Sequence, residues 1–427
     1  RGLAFIDAMI KRNPVCDNFN GVVIRIPRTV VLCTDVFDEF MEMNGLYPLA
    51  LSNVPDQEIL DAFLKARLPQ SIIDDMSSLY DVIDAPLAVR SSSLLEDSHY
   101  QPFAGIYSTY MIPPQDDIDA RLELLGDAIK AVYASVYYKD SKAYMKATSN
   151  VIDQEKMAVI IQEVVGHQHD TRFYPQISGV ARSINYYPVD DQKAEDGIVN
   201  MALGLGKYIV DGGQTLRVDP YQPKKIMQLS EMEMTLRETQ TRFLALDLSQ
   251  TKLDFKTDDG FNLQNLSVRQ ADKDGVLRWI SSTFDSYDQV IREGYYEGPS
   301  RKIISFCGIL QHDVLPMPEI LQNVLHYGAD EMKRPVEIEF AANVNDNKTG
   351  EFYLLQIRPM VDNKMNLDED LNEISDDELV IRSESAIGHG IMTDLYDCLY
   401  STMRNPADLT QTSVNGSIVY YDMQGFN

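Results

Sequence analysis

Two segments near residue 340 alternate polar and apolar residues with a period of two. They are Val336-Glu-Ile-Glu-Phe340 and Glu351-Phe-Tyr-Leu-Leu-Gln-Ile-Arg-Pro-Met360, with the polar run Asn345-Asp-Asn-Lys-Thr-Gly350 between them. Alternation interrupted by Asn, Asp and Gly predicts a β-hairpin. With Asn345 facing Gly350, the register sets Glu339 opposite Gln356 and Glu337 opposite Arg358. Residues two apart on a strand share a face, so two carboxylates, an amide and a guanidinium converge on one surface. That grouping suits a metal ion bridging phosphates, with an arginine fork on the phosphate oxygens. Glu/Arg pairs are also common on solvated sheet faces, where they contribute little, so a second segment has to decide.

Other patterns along the chain predict a mixture of helices and short strands. Helical spacing covers residues 5–12 and 36–44, and Thr34 with Asp35 offers an N-cap for the second. Residues 21–32 read as a strand interrupted at Pro27, and 84–92 as a short buried strand that delivers Arg90 to its end. The longest helical pattern is 117–147, with Ile118, Leu122, Leu125, Ile129, Val132 and Val136 on one stripe. Residues 157–165 form an apolar β-rich run containing Gln162 and Glu163, and short strands with glycine turns continue over 178–188 and 197–213. The pattern over 221–300 assigns no element, apart from a charged turn at 272–275, and 318–332 reads as a helix feeding the hairpin. Strands inserted between helical runs imply an α+β chain rather than a doubly wound sheet.

Composition narrows the picture. At 427 residues with 44% hydrophobic positions, the chain can bury the cores of two or three domains. Its net charge of −27 argues against nucleic acid and anionic membranes as partners. A nucleotide needs only a local basic pocket, so it stays open. There is no apolar run of about 18 residues of the kind that spans a membrane. Four scattered cysteines without CxxC spacing fit a reducing cytoplasm. His167 and His169 sit in a polar stretch expected to be an exposed turn, and His389 alone has a glycine frame. Residues 362–378 are dominated by Asp, Glu and Asn and read as an acidic linker. Residues 379–427 read as the start of a downstream domain or as a packed extension.

The second segment is Ala88-Val-Arg-Ser-Ser-Ser-Leu-Leu-Glu-Asp97, followed by Phe103-Ala-Gly-Ile-Tyr-Ser-Thr-Tyr110. An arginine at a strand end, then serines and a glycine loop, provides a guanidinium and several donors suited to polyphosphate. Gly105 permits close backbone approach.

These residues resemble the ATP-binding domain of the pyruvate, phosphate dikinase and phosphoenolpyruvate synthase family. The likeness continues in order through Gln162-Glu163, Ser178-Gly-Val, Gly204-Leu-Gly206, Glu337-Ile-Glu339 and Gln356-Ile-Arg358-Pro, across residues 1–361. The resemblance implies an ATP-grasp fold of two lobes that holds ATP and Mg²⁺. It also implies transfer of a phosphoryl group to a histidine on a separate domain, so the acceptor would lie outside this chain. Carried over by position, Arg90 and Arg358 would hold phosphate oxygens, and Glu339 and Gln356 would be Mg²⁺ ligands supported by Glu337. Gly105 and Thr109 would cover the phosphates, and Gln162 with Glu163 would flank the adenine or ribose.

Some positions depart from the family pattern. A phosphate-binding lysine of the family would fall just before Arg1, Ile106 stands where glutamine is usual, and Lys207 stands where glutamate is usual. No Thr-x-His segment like the family's phosphohistidine loop occurs in the chain. Two further readings therefore stay open: a non-catalytic nucleotide-binding module of the same fold, and an ATP-grasp ligase.

Overall fold

The computed structural model describes residues 2–13, 19–93, 105–147, 155–250, 252–360, 397–400 and 412–415. Its contacts divide the chain into two units, Arg1–Ile184 with Glu195–Val361, and Asn185–Ala194 with Asp362–Asn427. In the second unit, strands Asp397–Tyr400 and Thr412–Asn415 pair antiparallel, and Asn185 N donates to Ala194 O at 2.8 Å. The acidic stretch 362–378 and His389 lie outside the described residues. Among the described residues, no helix is long and apolar enough to cross a membrane.

The larger unit is built on a six-stranded sheet in the order Val22–Arg25, Gly350–Pro359, Val336–Val344, Ile177–Arg182, Ile198–Ala202 and Leu216–Val218. Every pairing in it is antiparallel except the outer one, Val22–Arg25 on Gly350–Pro359. Helix Met317–Met332 runs beneath the central hairpin. It buries Met317, Ile320, Leu321, Val324, Leu325 and Gly328, the spacing of one helix face. The ring of Phe340 lies over the neighbouring strand at Gly179, where a Cβ would come within 2.1 Å of Phe340 Cζ. Glycine at 179 is what lets Phe340 stack on Phe352, with ring centroids 5.0 Å apart.

The hairpin carries a correction to the expected register. Asn345 pairs with Thr349 rather than Gly350, through a 2.7 Å backbone bond, and Val344 pairs with Gly350. The offset would have misaligned the whole hairpin. It is absorbed by a β-bulge, since Phe340 pairs with Leu354 while Glu339 pairs with Gln356, leaving Leu355 as an extra residue. Beyond the bulge the alternation changes phase. Phe352 and Leu354 are buried, and so is Ile357, an odd number of residues on. The predicted pairs Glu337–Arg358 and Glu339–Gln356 therefore stand.

A second core surrounds a four-stranded antiparallel sheet, Thr29–Leu32, Ala158–Glu163, Leu87–Ser92 and Thr109–Ile112. The segment expected as one strand broken at Pro27 serves both sheets, with Val22–Arg25 in the first and Thr29–Leu32 in the second. Proline lacks the ladder donor, and the chain changes sheets there. The long helical pattern is two helices, Ile118–Ser135 and Lys139–Ala147. The first is capped by the Asp117 carboxylate, which accepts from Ala120 N at 2.9 Å. Ile118, expected on the buried stripe, is 44% exposed in that first turn. Helix Thr34–Asn44 has its cap one residue before the expected Thr34. Cys33 holds the cap position without a side-chain bond, so Thr34 and Asp35 belong to the first turn.

The unassigned stretch 221–300 supplies parts of two smaller sheets. One has the order Leu263–Ser267, Arg242–Asp247, Arg172–Tyr174, His167–His169, and the other Val290–Arg292, Ser281–Asp285, Arg301–Ile304. His167 and His169 thus lie on an outer strand rather than in a turn. The His169 ring sits 4.8 Å from that of Tyr174, and burial lowers its pKa. Residues 203–213, expected to continue a run of strands, contain the short helix Lys207–Val210.

Candidate functional site

Strands from the six-stranded and four-stranded sheets line one cavity of about 490 Å³. All nine residues singled out in the sequence reach it: Arg90, Gly105, Thr109, Gln162, Glu163, Glu337, Glu339, Gln356 and Arg358. A volume of that size suits a small organic ligand. Its lining combines apolar side chains such as Met111, Val164, Val165 and Leu355 with these mostly polar and charged residues.

One charged row lies within the six-stranded sheet. Glu337 is paired to Arg358 on one side and to Arg182 on the other. Its Oε1 accepts from Arg358 Nε at 2.7 Å and from Arg358 Nη2, and its Oε2 accepts from Arg182 Nε at 2.7 Å. The Glu337 side chain is only 8% exposed. Burial pushes its carboxyl pKa up, but the two guanidiniums outweigh this and hold it below the ordinary range.

The second charged contact joins the two sheets. Arg90, on strand Leu87–Ser92, donates from Nη2 to Glu339 Oε2 at 2.8 Å and to Gln356 Oε1. Two hard oxygens from neighbouring strands thus converge on one cationic nitrogen. That donor set fits Mg²⁺, which takes one or two protein oxygens and completes its shell with water and phosphate. Among the described residues, no group of three or more His, Cys, Asp or Glu gathers to hold a metal by itself.

The remaining sequence candidates hold the wall. Gln162 is 3% exposed, and its amide nitrogen already donates to Thr29 Oγ1 at 3.2 Å and to Leu355 O at 3.3 Å. The bulge thus turns a carbonyl toward the four-stranded sheet, and Gln162 ties the sheets together there. Glu163 is partly buried beside it. Thr109 pairs with Arg90, and its backbone N donates to Asp259 Oδ2 at 2.7 Å. Gly105 has φ of +77°, a conformation that favours glycine, and among the described residues no atom lies within 4 Å of where its Cβ would be.

Arg182, Lys207 and Asp259 also line the cavity, and none of them was assigned a role there from the sequence. Arg182 follows Ser178 and Val180 at alternate positions on one strand, a periodicity that could have revealed it. Lys207 directly follows Gly204-Leu-Gly206 and is bound to Asp259 Oδ1 at 2.9 Å and to Asp211 Oδ1 at 3.3 Å. Asp259 comes from the stretch without assignable pattern and had no local signal.

The family model described as "Pyruvate phosphate dikinase, AMP/ATP-binding domain" matches residues 13–378. A probable phosphoenolpyruvate synthase of Pyrococcus horikoshii is 22% identical over 386 residues, covering 84% of this chain and 38% of the relative. The phosphoenolpyruvate synthase of Aeropyrum pernix is 24% identical over 309 residues, covering 70% and 32%. An uncharacterized phosphotransferase of Bacillus subtilis, YvkC, is 26% identical over 193 residues, covering 44% and 20%. The chain therefore spans well under half the length of these curated relatives.

Proposed function

Because the chain belongs to the family of pyruvate phosphate dikinase AMP/ATP-binding domains, we propose that its cavity holds the phosphates of Mg²⁺-ATP between Arg90 and Arg358. In this reading the fold is an ATP-grasp of two lobes, residues 1–361 are the nucleotide domain, and the phosphoryl group passes to a histidine on a separate domain. The observation that carries it is the convergence of Arg90, Glu339 and Gln356 from two different sheets.

The chain's own residues account for most of what phosphoryl transfer requires, which is positioning and charge neutralisation. Arg90 and Arg358 offer planar forks to phosphate oxygens. Glu339 and Gln356 would hold the metal ion, which when bound would neutralise phosphate charge. Glu337 keeps the Arg358 guanidinium oriented on the sheet face, because its pKa stays low and its charge persists at neutral pH. Gly105 and Thr109 stand beside the phosphates, and the base would lie toward Met111, Val164 and Val165, next to Gln162 and Glu163. With ligand bound, Arg90 exchanges its two protein oxygens for phosphate oxygens.

Calorimetric titration with ATP, with and without Mg²⁺, tests this. Saturable Mg²⁺-dependent binding is expected, weakened about tenfold or more by Arg358→Ala, the loss of a charged bidentate contact. No saturable ATP binding at any Mg²⁺ concentration would refute it. The alternative of a nucleotide-binding module without catalysis takes its support from Lys207, which replaces a carboxylate of the family pattern. ATP binding without AMP production by the full-length protein would favour that reading.

A further inference from the structure

Lys207 and Asp259 form a contact that the roles above leave unexplained. Lys207 is 21% exposed, and its Nζ lies 2.9 Å from Asp259 Oδ1. The other oxygen of the same carboxylate, Oδ2, accepts from the Thr109 backbone N at 2.7 Å. A lysine beyond the Gly204-Leu-Gly206 turn and an amide on the four-stranded sheet are thus bridged by one anion. Burial works against the lysine's charge, but the hydrogen bond and field of Asp259 outweigh it and hold the pKa above its ordinary range.

The bridging loop is well anchored at a distance from the carboxylate. Phe255 and Phe261 pack in the second core, with ring centroids 5.4 and 6.3 Å from that of Tyr110. The Tyr110 hydroxyl donates to Lys256 O at 2.9 Å, and Asn262 Nδ2 donates to Met111 O. Asp259 itself lines the cavity, as do Thr109 and Lys207. Thr109 is paired across the strands to Arg90, so this contact is adjacent to the proposed phosphate site.

The geometry points to a phosphoryl-oxygen subsite made of Lys207 Nζ and the Thr109 amide, held in the unliganded chain by the Asp259 carboxylate. An ammonium and a backbone N–H that grip two oxygens of a carboxylate can grip two oxygens of a phosphoryl group. The ligand class is the polyphosphate of a nucleoside triphosphate, so the inference rests on the proposed function. It adds that Lys207 contributes to discrimination between triphosphate and monophosphate, and that Asp259 competes with the ligand as an internal anion.

The test is parallel calorimetry with Mg²⁺-ATP and with AMP on the wild type, Asp259→Asn and Lys207→Met, with melting curves to confirm folding. Asp259→Asn removes the competing charge and is expected to tighten ATP several-fold while leaving AMP unchanged. Lys207→Met is expected to weaken ATP about tenfold, again sparing AMP. The two variants move in opposite directions, so general loss of fold cannot imitate the pattern. Unchanged or weakened ATP binding in folded Asp259→Asn overturns the subsite. So does equal weakening of ATP and AMP by Lys207→Met. If Asp259→Asn fails to fold, Lys207→Met decides alone. Failure of the wild type to bind ATP at all removes the proposed function and this inference together, whereas ATP binding without these differences removes only the inference.

Discussion

Glu337 and Glu339 lie two residues apart on one strand, yet they hold their arginines in different ways. Glu337 is bound by neighbours of its own sheet, Arg182 and Arg358, in the register of the backbone ladder. Glu339 takes Arg90 from the other sheet, and both side chains are 20% exposed. The first contact belongs to the sheet and persists as long as the strands pair. The second depends on how two separately packed cores meet, and its partners can be exchanged for a ligand's oxygens. On the proposed function, the first contact supplies fixed charge and the second supplies charge that a phosphate could take over.

The largest effect that separates the two contacts is on stability. Glu337→Ala leaves two facing guanidiniums without their shared carboxylate, and removing one partner of a buried ion pair costs about 3 kcal/mol. Glu339→Ala, with a part-exposed pair, should cost about 1 kcal/mol or less. Urea unfolding at neutral pH measures both. Equal losses would erase the distinction. Next in size is Gly179→Ala, which puts a methyl 2.1 Å from the Phe340 ring. Phe340 is 1% exposed and stacked on Phe352, so it has little room to yield. Overpacking of this kind costs about 2 kcal/mol, and near-ultraviolet circular dichroism should register the displaced rings. A neutral Gly179→Ala would mean that the ring swings away without cost and that the hairpin face is less fixed than Glu337 requires.

Alternation made the pairs within the hairpin legible, but it could not show Arg90 of the other sheet meeting Glu339 and Gln356. Alternation alone placed Glu337 opposite Arg358 and Glu339 opposite Gln356. Its assumed turn was one residue out, and the pairs survived because Leu355 is a bulge. The adjacent apolar pair Leu354-Leu355 is the local sign of that break in period, since only one of two neighbours can face a core. Pro27 marked the switch between sheets for the same reason that it interrupts a ladder. Arg182 obeyed the same alternation from Ser178 and could have been found. Asp259 could not, because its position depends on Phe255 and Phe261, between strands Arg242–Asp247 and Leu263–Ser267, filling a core that those strands do not share. No period within 221–300 encodes that insertion. Contacts made by neighbours in a ladder are local in pattern, whereas contacts across two cores are set by packing.

The smallest effect is the pH dependence of the rigid contact. Glu337 has a folded pKa below its ordinary value of 4.5, because Arg358 and Arg182 outweigh the penalty of burial. The unfolded chain therefore binds a proton there more readily than the folded one. The resulting stability is fully present above pH 4.5 and is lost as the pH falls through the lower, folded value. Many other carboxylates titrate in the same range in a chain of net charge −27, so the informative quantity is a difference. Glu337→Gln keeps the side-chain shape but cannot ionise. Its stability deficit relative to wild type should be constant from neutral pH down to the mid-4 range and should shrink below it. Urea midpoints for both proteins, taken every half unit of pH, follow that difference directly. A deficit that stays constant to the acid limit would mean that Glu337 is protonated in the fold without loss, and that the two arginines are held by the strands rather than by its charge.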